Sequence, residues 1–313
     1  MSFAAAILSH RSLRRRHFVG LILFFALLFW GLVWGVAAYR FNKIVDTWVA
    51  ISQENGNILA FSERATGGTP WAIHITLDQF QAHYNKVHSL SADKAILRLN
   101  LWDWGNFSIK LRDNVHGQLA GLSFTADIFK FGFMKPSSAP LDENETGLYV
   151  WVQSFGLIPQ KQSPLALGNR IEELSFDARV MGTPPDFSKT GTVKAWNDAS
   201  GVIEFDDLDL RWGSMELVAK GTMALTADLQ PEGAFSGRVD GLEEAVDKFT
   251  SQGELTRKDE ALLRSSLSVL ARPSGMVGGT SPIVPLSLQN GGVFLGPVRI
   301  ATLPKLVWPQ SNP

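Results

Sequence analysis

The stretch Gly201–Asp240, GVIEFDDLDLRWGSMELVAKGTMALTADLQPEGAFSGRVD, decides the fold of this 313-residue chain. Apolar and polar side chains alternate in it over residues 207–212 and again over 215–220. A third alternating run, 235–239, follows Pro231-Glu232-Gly233, a sequence that predicts a turn. A period of two residues is typical of a strand with one buried face. The stretch therefore predicts consecutive antiparallel strands.

Runs of the same kind extend in both directions along the chain. Turn residues separate them at roughly 8–12-residue intervals, which favours an antiparallel meander over βαβ units. Gln289-Asn290-Gly291 is the strongest hairpin signal, because Asn-Gly suits a tight two-residue turn. The predicted strands cover Trp71–Leu77, Leu97–Leu101, Phe107–Leu111, Gln118–Asp127, Leu148–Ser154, Glu173–Met181, Gly191–Trp196, Val284–Leu288, Val293–Leu295 and Val298–Ile300.

Two helices interrupt the predicted strands. The patterns place them at Leu242–Ser251 and Arg257–Ala271. Thr256 followed three residues later by Asp259 resembles a capping box and marks the start of the second helix. Together they predict a two-helix insert near 242–271, with an apolar stripe that covers a face or an open end of the sheet.

The N-terminal region contains a candidate membrane span. Phe18–Ala38 holds 21 residues without a charge, and such a helix crosses a hydrocarbon core of about 30 Å. Because more basic residues precede the span than closely follow it, the sequence predicts a cytoplasmic N-terminus and an exported body. The preceding residues are Arg11, Arg14, Arg15 and Arg16, and the following ones are Arg40 and Lys43.

One site in the apolar segment resembles the cleavage site of a signal peptide. Val36-Ala37-Ala38 supplies small residues for cleavage, but the apolar run is longer than the roughly 7–15 residues of a cleavable signal. An uncleaved single-pass anchor is therefore the favoured interpretation. The predicted organisation is a basic cytoplasmic segment at 1–17, the anchor at 18–38, a helical stalk and linker at 39–66, and a β-rich periplasmic domain at 67–313.

Charge and composition exclude several classes of protein. Residues 1–45 carry six basic and no acidic residues, which leaves 23 basic and 30 acidic residues in the rest of the chain. The acidic body gives no reason to expect nucleic-acid binding. The absence of Cys excludes disulfides, thiolate metal sites and thiol nucleophiles. No cofactor is predicted.

Catalytic motifs are sparse. The chain has no HExxH, GxSxG, Walker or GxGxxG sequence, and Ser91-Ala-Asp-Lys94 matches SxxK without its companion motifs. Asp206, Asp207 and Asp209 are better explained as a solvated strand edge than as a cation site. No catalytic or metal-ligating residue is predicted, and the protein is not expected to be an enzyme. A hydrolase that uses His74, His83 or His116 is kept as an alternative.

Ten tryptophans are the most unusual feature of the composition. They indicate either a large core with rings at its interfaces or an aromatic and aliphatic groove for a lipid chain. Trp102 and Trp104 are predicted to share one strand face. The candidate groove residues are Trp71, Ile73, Ile75, Leu97, Leu99, Trp102 and Trp104.

The C-terminal half resembles a known family. Leu210-Arg-Trp-Gly213, the Gly221…Asp228…Gly233 hairpin, the two-helix insert and the closing Val284-Pro-Leu-Ser-Leu…Gly291-Gly…Leu-Gly-Pro297 pattern resemble an alphaproteobacterial envelope family, number 2125 among the domains of unknown function. That family in turn distantly resembles AsmA-type proteins, whose long β-sheets with an apolar concave face are linked to phospholipid movement. The resemblance implies an inner-membrane protein that faces the periplasm.

The combined expectation is a mainly β protein with one transmembrane helix and an extended, curved, AsmA-like antiparallel meander. Its predicted partners are the lipid bilayer, through Phe18–Ala38, and either a lipid ligand or an envelope protein. Lipid handling or envelope maintenance through an apolar sheet face is the first functional hypothesis. A non-catalytic envelope scaffold is the alternative.

Overall fold

A computed structural model describes residues 3–84, 88–160, 167–186, 191–253, 255–270 and 283–308. Its elements follow one another in the order α1 (Phe3–Glu54), β1 (Ile58–Ala60), β2 (Glu63–Thr69), β3 (Ala72–Tyr84), β4 (His88–Asn100), β5 (Asp103–Leu119), β6 (Leu122–Met134), β7 (Thr146–Pro159), β8 (Ile171–Met181), α2 (Thr192–Asp198), β9 (Ile203–Trp212), β10 (Met215–Leu225), β11 (Pro231–Asp240), α3 (Leu242–Ser251), α4 (Arg257–Leu270), β12 (Ile283–Gln289), β13 (Gly292–Leu295) and β14 (Val298–Thr302).

All the described strands belong to one curved antiparallel sheet. From β3 to β14 each strand pairs with the next one along the chain, while β1 and β2 both pair with β3 at the first edge. The predicted meander is therefore confirmed. Because consecutive strands alternate in direction, the β2–β3, β4–β5 and β6–β7 connections lie at the same end of the sheet.

The N-terminal helix is continuous from Phe3 to Glu54. Among the described residues, Phe18–Glu54 is the one helical segment long and apolar enough to cross a membrane. Side chains from Phe18 to Phe29 are exposed, whereas Ala37, Ala38 and Phe41 are buried against the sheet. The helix therefore continues past the candidate cleavage point at Ala38, and its C-terminal half packs on the sheet.

The sheet begins earlier than the predicted boundary at residue 67. Strands β1 and β2 occupy the region that was predicted as stalk and linker. Strand β2 lies on the sheet edge with nearly all its side chains exposed, so it lacks the alternation by which a half-buried strand is recognised.

The strand predicted at Gly191–Trp196 is wrong, because these residues open helix α2. Val193 and Trp196 are three positions apart and lie on the same side of a helix, where both line one cavity. The indole Nε1 of Trp196 donates a hydrogen bond to the Met181 carbonyl at 2.9 Å. A run of six residues was too short to separate the helical period from the strand period.

Two turns differ from the predicted positions. The run Gln118–Asp127 is broken by a turn at Ala120-Gly121, where both residues have positive φ. The turn between β10 and β11 covers Thr226–Gln230, and Pro231 is the first residue of β11. Proline is tolerated there because the first position of a strand need not donate to the ladder.

The two-helix insert is confirmed. Helix α3 spans Leu242–Ser251, and α4 begins at Arg257 after Thr256, whose Oγ1 accepts a hydrogen bond from the Asp259 N–H at 3.2 Å. Leu263 of the predicted apolar stripe is buried, whereas Leu262 is exposed. Residue 271, the predicted end of α4, lies outside the described residues.

Candidate functional site

One face of the sheet is apolar from its first strands to its last. Three rows of directly paired residues cross it from strand to strand. The central row consists of Ile75, Leu97, Ile109, Phe131, Val152, Phe176, Leu208, Ala219, Gly237 and Val284. The rows on either side are Ile73, Leu99, Phe107, Phe133, Val150, Ala178, Phe205, Gly221, Phe235 and Leu286, and Leu77, Ala95, Leu111, Phe129, Ser154, Leu174, Leu210, Leu217 and Val239. We call this surface the apolar face.

A row of polar residues crosses the opposite face from β5 to β9. A row next to the central apolar row contains Lys110, Lys130, Gln153, Ser175 and Asp209 as successive cross-strand partners. The Lys130 amine donates a hydrogen bond to Gln153 Oε1 at 2.9 Å. Because side chains alternate between the two faces, each strand contributes to both surfaces. The sheet is therefore amphipathic along this row, from β5 to β9.

Helix α1 covers the first part of the apolar face. Phe41 and Val45 are buried in one core cluster with Ile75 and Leu97, and the Phe41 and Phe107 rings meet edge to face at 6.2 Å. A cavity of about 700 Å³ remains between the helix and the sheet. This volume is within the range of small-molecule sites. Its apolar lining includes Phe41, Ile44, Val45, Trp48, Ile51, Phe80, Leu90, Leu97, Phe107, Ile109, Phe131 and Phe133.

Helices α3 and α4 cover the last part of the same face. Val246 and Leu263 are buried in a second core cluster with Val284 and Leu295. A second cavity, of about 440 Å³, lies there. Leu210, Leu217 and Val239 of the apolar rows contribute to its lining. The apolar face thus leads from one helix-covered cavity to another.

Between the covered ends, most of the large apolar side chains are only half-buried. Val152, Phe176 and Leu208 of β7, β8 and β9 are partly exposed, in contrast to the fully buried Ile75. The Phe205 ring lies 5.5 Å from Phe176 and 5.4 Å from Phe235, which continues the aromatic surface toward the second cavity. This middle section is the open part of the apolar face.

The C-terminal segment connects distant parts of the sheet. The Val307 N–H bonds to the Ala120 carbonyl at 2.9 Å, and Trp308 Nε1 donates to the Leu229 carbonyl at 2.7 Å. These contacts join the β5–β6 turn to the β10–β11 turn. The sheet is therefore curved enough to bring them together around a third apolar cavity, of about 320 Å³.

The structure divides the predicted groove residues into two groups. Ile73, Ile75, Leu97 and Leu99 are buried beneath α1, and of these Leu97 lines the large cavity. Trp71 and Trp102 are exposed and lie in the β2–β3 and β4–β5 turns. The prediction that Trp102 and Trp104 share one strand face is therefore wrong, because Trp102 lies in a turn. Trp104 belongs to β5, but its side chain lies outside the described part of the structure.

The open section of the apolar face was not singled out from the sequence. Its residues, for example Leu208, have the same period-two signal as the chosen segments. Val150, Val152, Phe176 and Phe205 also lie on this section. The groove was instead predicted around the aromatic residues Trp71 and Trp102, which lie in turns. Only the positions of the covering helices distinguish the open strands from the buried ones.

The candidate residues His74 and His83 lie on β3, Lys94 on β4 and His116 on β5. His116 Nδ1 lies 2.9 Å from the Asn114 carbonyl, and Lys94 of the SxxK match belongs to a strand rather than a helix. Asp206 accepts two hydrogen bonds from Arg179, which lowers the pKa of its carboxyl. The described residues contain no group of three His, Asp or Glu side chains placed to hold a metal ion.

His88 lies beside the large cavity, and the hydrogen bond that it accepts requires a neutral imidazole. Its Nδ1 accepts a hydrogen bond from the Ala120 N–H at 3.0 Å, and burial lowers the pKa of the imidazole below its usual 6.5. A protonated ring would lose this acceptor.

We therefore expect the folded state to lose stability as the pH falls below about 6.5, because the unfolded chain then binds a proton at His88 more readily. The contribution is fully present above that pH. His88→Asn keeps an acceptor and removes the titration, so denaturation curves across this range should show less pH dependence. The same change at exposed His83 is the control. Equal pH dependence in both variants and the parent would contradict the role of His88.

Comparison with known proteins identifies the chain at family level. No curated protein sequence matches it. The family described as "Uncharacterized protein conserved in bacteria (DUF2125)" matches residues 143–304, slightly more than half of the chain. The match runs from just before β7 to just beyond β14 and includes the open section of the apolar face. The chain therefore belongs to the DUF2125 family of uncharacterised bacterial proteins.

Proposed function

We propose that this protein is a non-catalytic, membrane-anchored lipid handler that holds acyl chains on the apolar face. The continuity of the three apolar rows carries the proposal. They lead from the cavity under α1, across the half-buried strands β7–β9, to the cavity under α3 and α4. A small polar ligand would have few groups to bind on this surface. The distant resemblance to AsmA-type proteins, expected from the sequence, would favour the same function.

The energetics suit an acyl chain. Moving a methylene group from an apolar environment into water costs about 0.8 kcal/mol. A chain that passes from bilayer hydrocarbon to the apolar face avoids this cost along its length. An acyl chain can therefore move from the bilayer to the apolar face without a binding site that recognises one headgroup.

The proposed location is the bacterial inner membrane, with a cytoplasmic N-terminus and a periplasmic sheet. Arg11, Arg14, Arg15 and Arg16 before the span outnumber Arg40 and Lys43 after it, as the positive-inside rule requires. The helix continues without a break through Ala38, where its side chain is buried on the sheet. Retention of the anchor is therefore part of the proposal.

Native mass spectrometry of the full chain, purified from membranes in detergent, tests the proposal. We expect the protein to retain adducts with phospholipid masses after the micelle is removed. Protein without lipid, accompanied by a stoichiometric protein partner, would contradict lipid handling and favour the scaffold alternative.

A further inference from the structure

The length of the membrane helix determines how close the sheet lies to the bilayer. Residues before Phe18 include four arginines, so the hydrocarbon span begins near that residue. Trp30 and Trp34 follow it by about 18 Å and 24 Å along the helix, at ~1.5 Å per residue. Both positions fall within a hydrocarbon core of about 30 Å. A tilted helix would place them deeper still.

Two hairpin turns of the sheet contact the helix at these tryptophans. Trp30 Nε1 donates to the Pro70 carbonyl at 3.1 Å, and Trp34 Nε1 donates to the Thr69 carbonyl at 3.0 Å. The Trp30 ring stacks on the ring of Trp102 with centroids 5.3 Å apart. The β2–β3 and β4–β5 turns are therefore held at the depth of the helix segment they contact.

We infer that the β2–β3 and β4–β5 turns insert into the bilayer leaflet nearest the sheet. The inserted surface consists of Pro70, Trp71 and Trp102 of the turns, together with Trp30 and Trp34 of the helix. This interaction rests on the proposed membrane span of α1, and it does not depend on lipid handling. It makes the protein bind the membrane through its sheet as well as through its anchor.

The backbone of these turns suits an apolar environment. Backbone groups in lipid need internal hydrogen-bond partners. The indoles of Trp30 and Trp34 supply them for two turn carbonyls, and the Leu101 N–H bonds to the Trp71 carbonyl at 2.9 Å. The Trp102 N–H bonds to Asn100 Oδ1 at 3.2 Å.

The side chains also match the chemistry of a bilayer interface. Trp71 is 53% exposed and Trp102 is 72% exposed, which is unusual for large apolar side chains in contact with water. Tryptophan is enriched where hydrocarbon meets headgroups. Asp103 follows Trp102 directly, and the β6–β7 connection at the same end of the sheet contains Lys135, Asp142 and Glu143. These charges limit the inserted region to the tips of the two turns.

Single-cysteine labelling tests the insertion, because the chain has no native Cys. Trp71→Cys and Trp102→Cys place a nitroxide on the two turns, and Ser138→Cys places it in the exposed, polar β6–β7 connection as a control. The full-length variants are reconstituted in vesicles of phosphatidylethanolamine and phosphatidylglycerol. Electron paramagnetic resonance then measures collisions with oxygen and with a water-soluble nickel chelate.

We expect labels at 71 and 102 to collide with the nickel chelate several-fold less often than the label at 138, and with oxygen more often. Equal nickel accessibility at all three positions would overturn the inference. A second measurement does not require the cysteine variants to fold. Brominated lipids should quench less of the tryptophan fluorescence in Trp102→Phe than in the parent, and an unchanged quenched fraction would also count against insertion.

Discussion

We expect Val152→Asp to remove bound lipid, whereas Gln153→Asp leaves lipid retention unchanged. Val152 lies in the central row of the apolar face, on the half-buried section between the two helix-covered cavities. Gln153 is its neighbour on the same strand but belongs to the polar face, beside Lys130. The two variants therefore add the same charge to the same strand on opposite sides of the sheet.

The expected effect is large because Phe131 and Phe176, the residues paired with Val152, offer no partner for a carboxylate. An unpaired charge in an apolar site costs well over the ~1.4 kcal/mol that corresponds to a tenfold change in affinity. We expect at least about a tenfold loss of lipid per protein in Val152→Asp, measured by lipid extraction and mass spectrometry. Circular dichroism should show the same strand content in both variants. Equal lipid retention in two folded variants would contradict a lipid surface on β7–β9.

The sequence was most informative where strands are half-buried. The alternation around Leu208 and Leu217 predicted β9 and β10 because one face packs on apolar neighbours and the other meets water. Strand β2 escaped prediction because an exposed edge strand needs no apolar alternation. Helix α2 was assigned to a strand because Val193 and Ala195 fit a period of two while Val193 and Trp196 fit the helical period, and so short a run does not separate them.

The site was less predictable than the fold for a physical reason. Ile75 and Val152 belong to the same row and have the same alternation, yet one is fully buried and the other half-buried. The difference arises from helix α1, which packs on the first strands through Phe41 and Val45. This contact joins residues that are distant in sequence, so it cannot be predicted from a local pattern of apolar and polar residues.

The second large effect concerns a residue first predicted to line the groove. We expect Ile75→Ala to lower the free energy of unfolding by about 2–5 kcal/mol, the range for removing a large aliphatic side chain from a packed core. Ile75 is fully buried, pairs directly with Leu97 and belongs to the cluster beneath α1. Urea denaturation of the full chain in detergent, followed by tryptophan fluorescence, measures the loss.

The matched control is Ile283→Ala, at an exposed position at the start of β12. Exposed substitutions of this kind change stability by less than about 1 kcal/mol.

Because Ile75 is not among the residues that line the large cavity, the folded fraction of Ile75→Ala should retain as much lipid per molecule as the parent. A variant with normal stability but reduced lipid content would reverse this assignment and make Ile75 part of the binding surface. The combination of lower stability and unchanged lipid content assigns Ile75 to the core that holds α1 on the sheet, and leaves lipid binding to the cavities and to β7–β9.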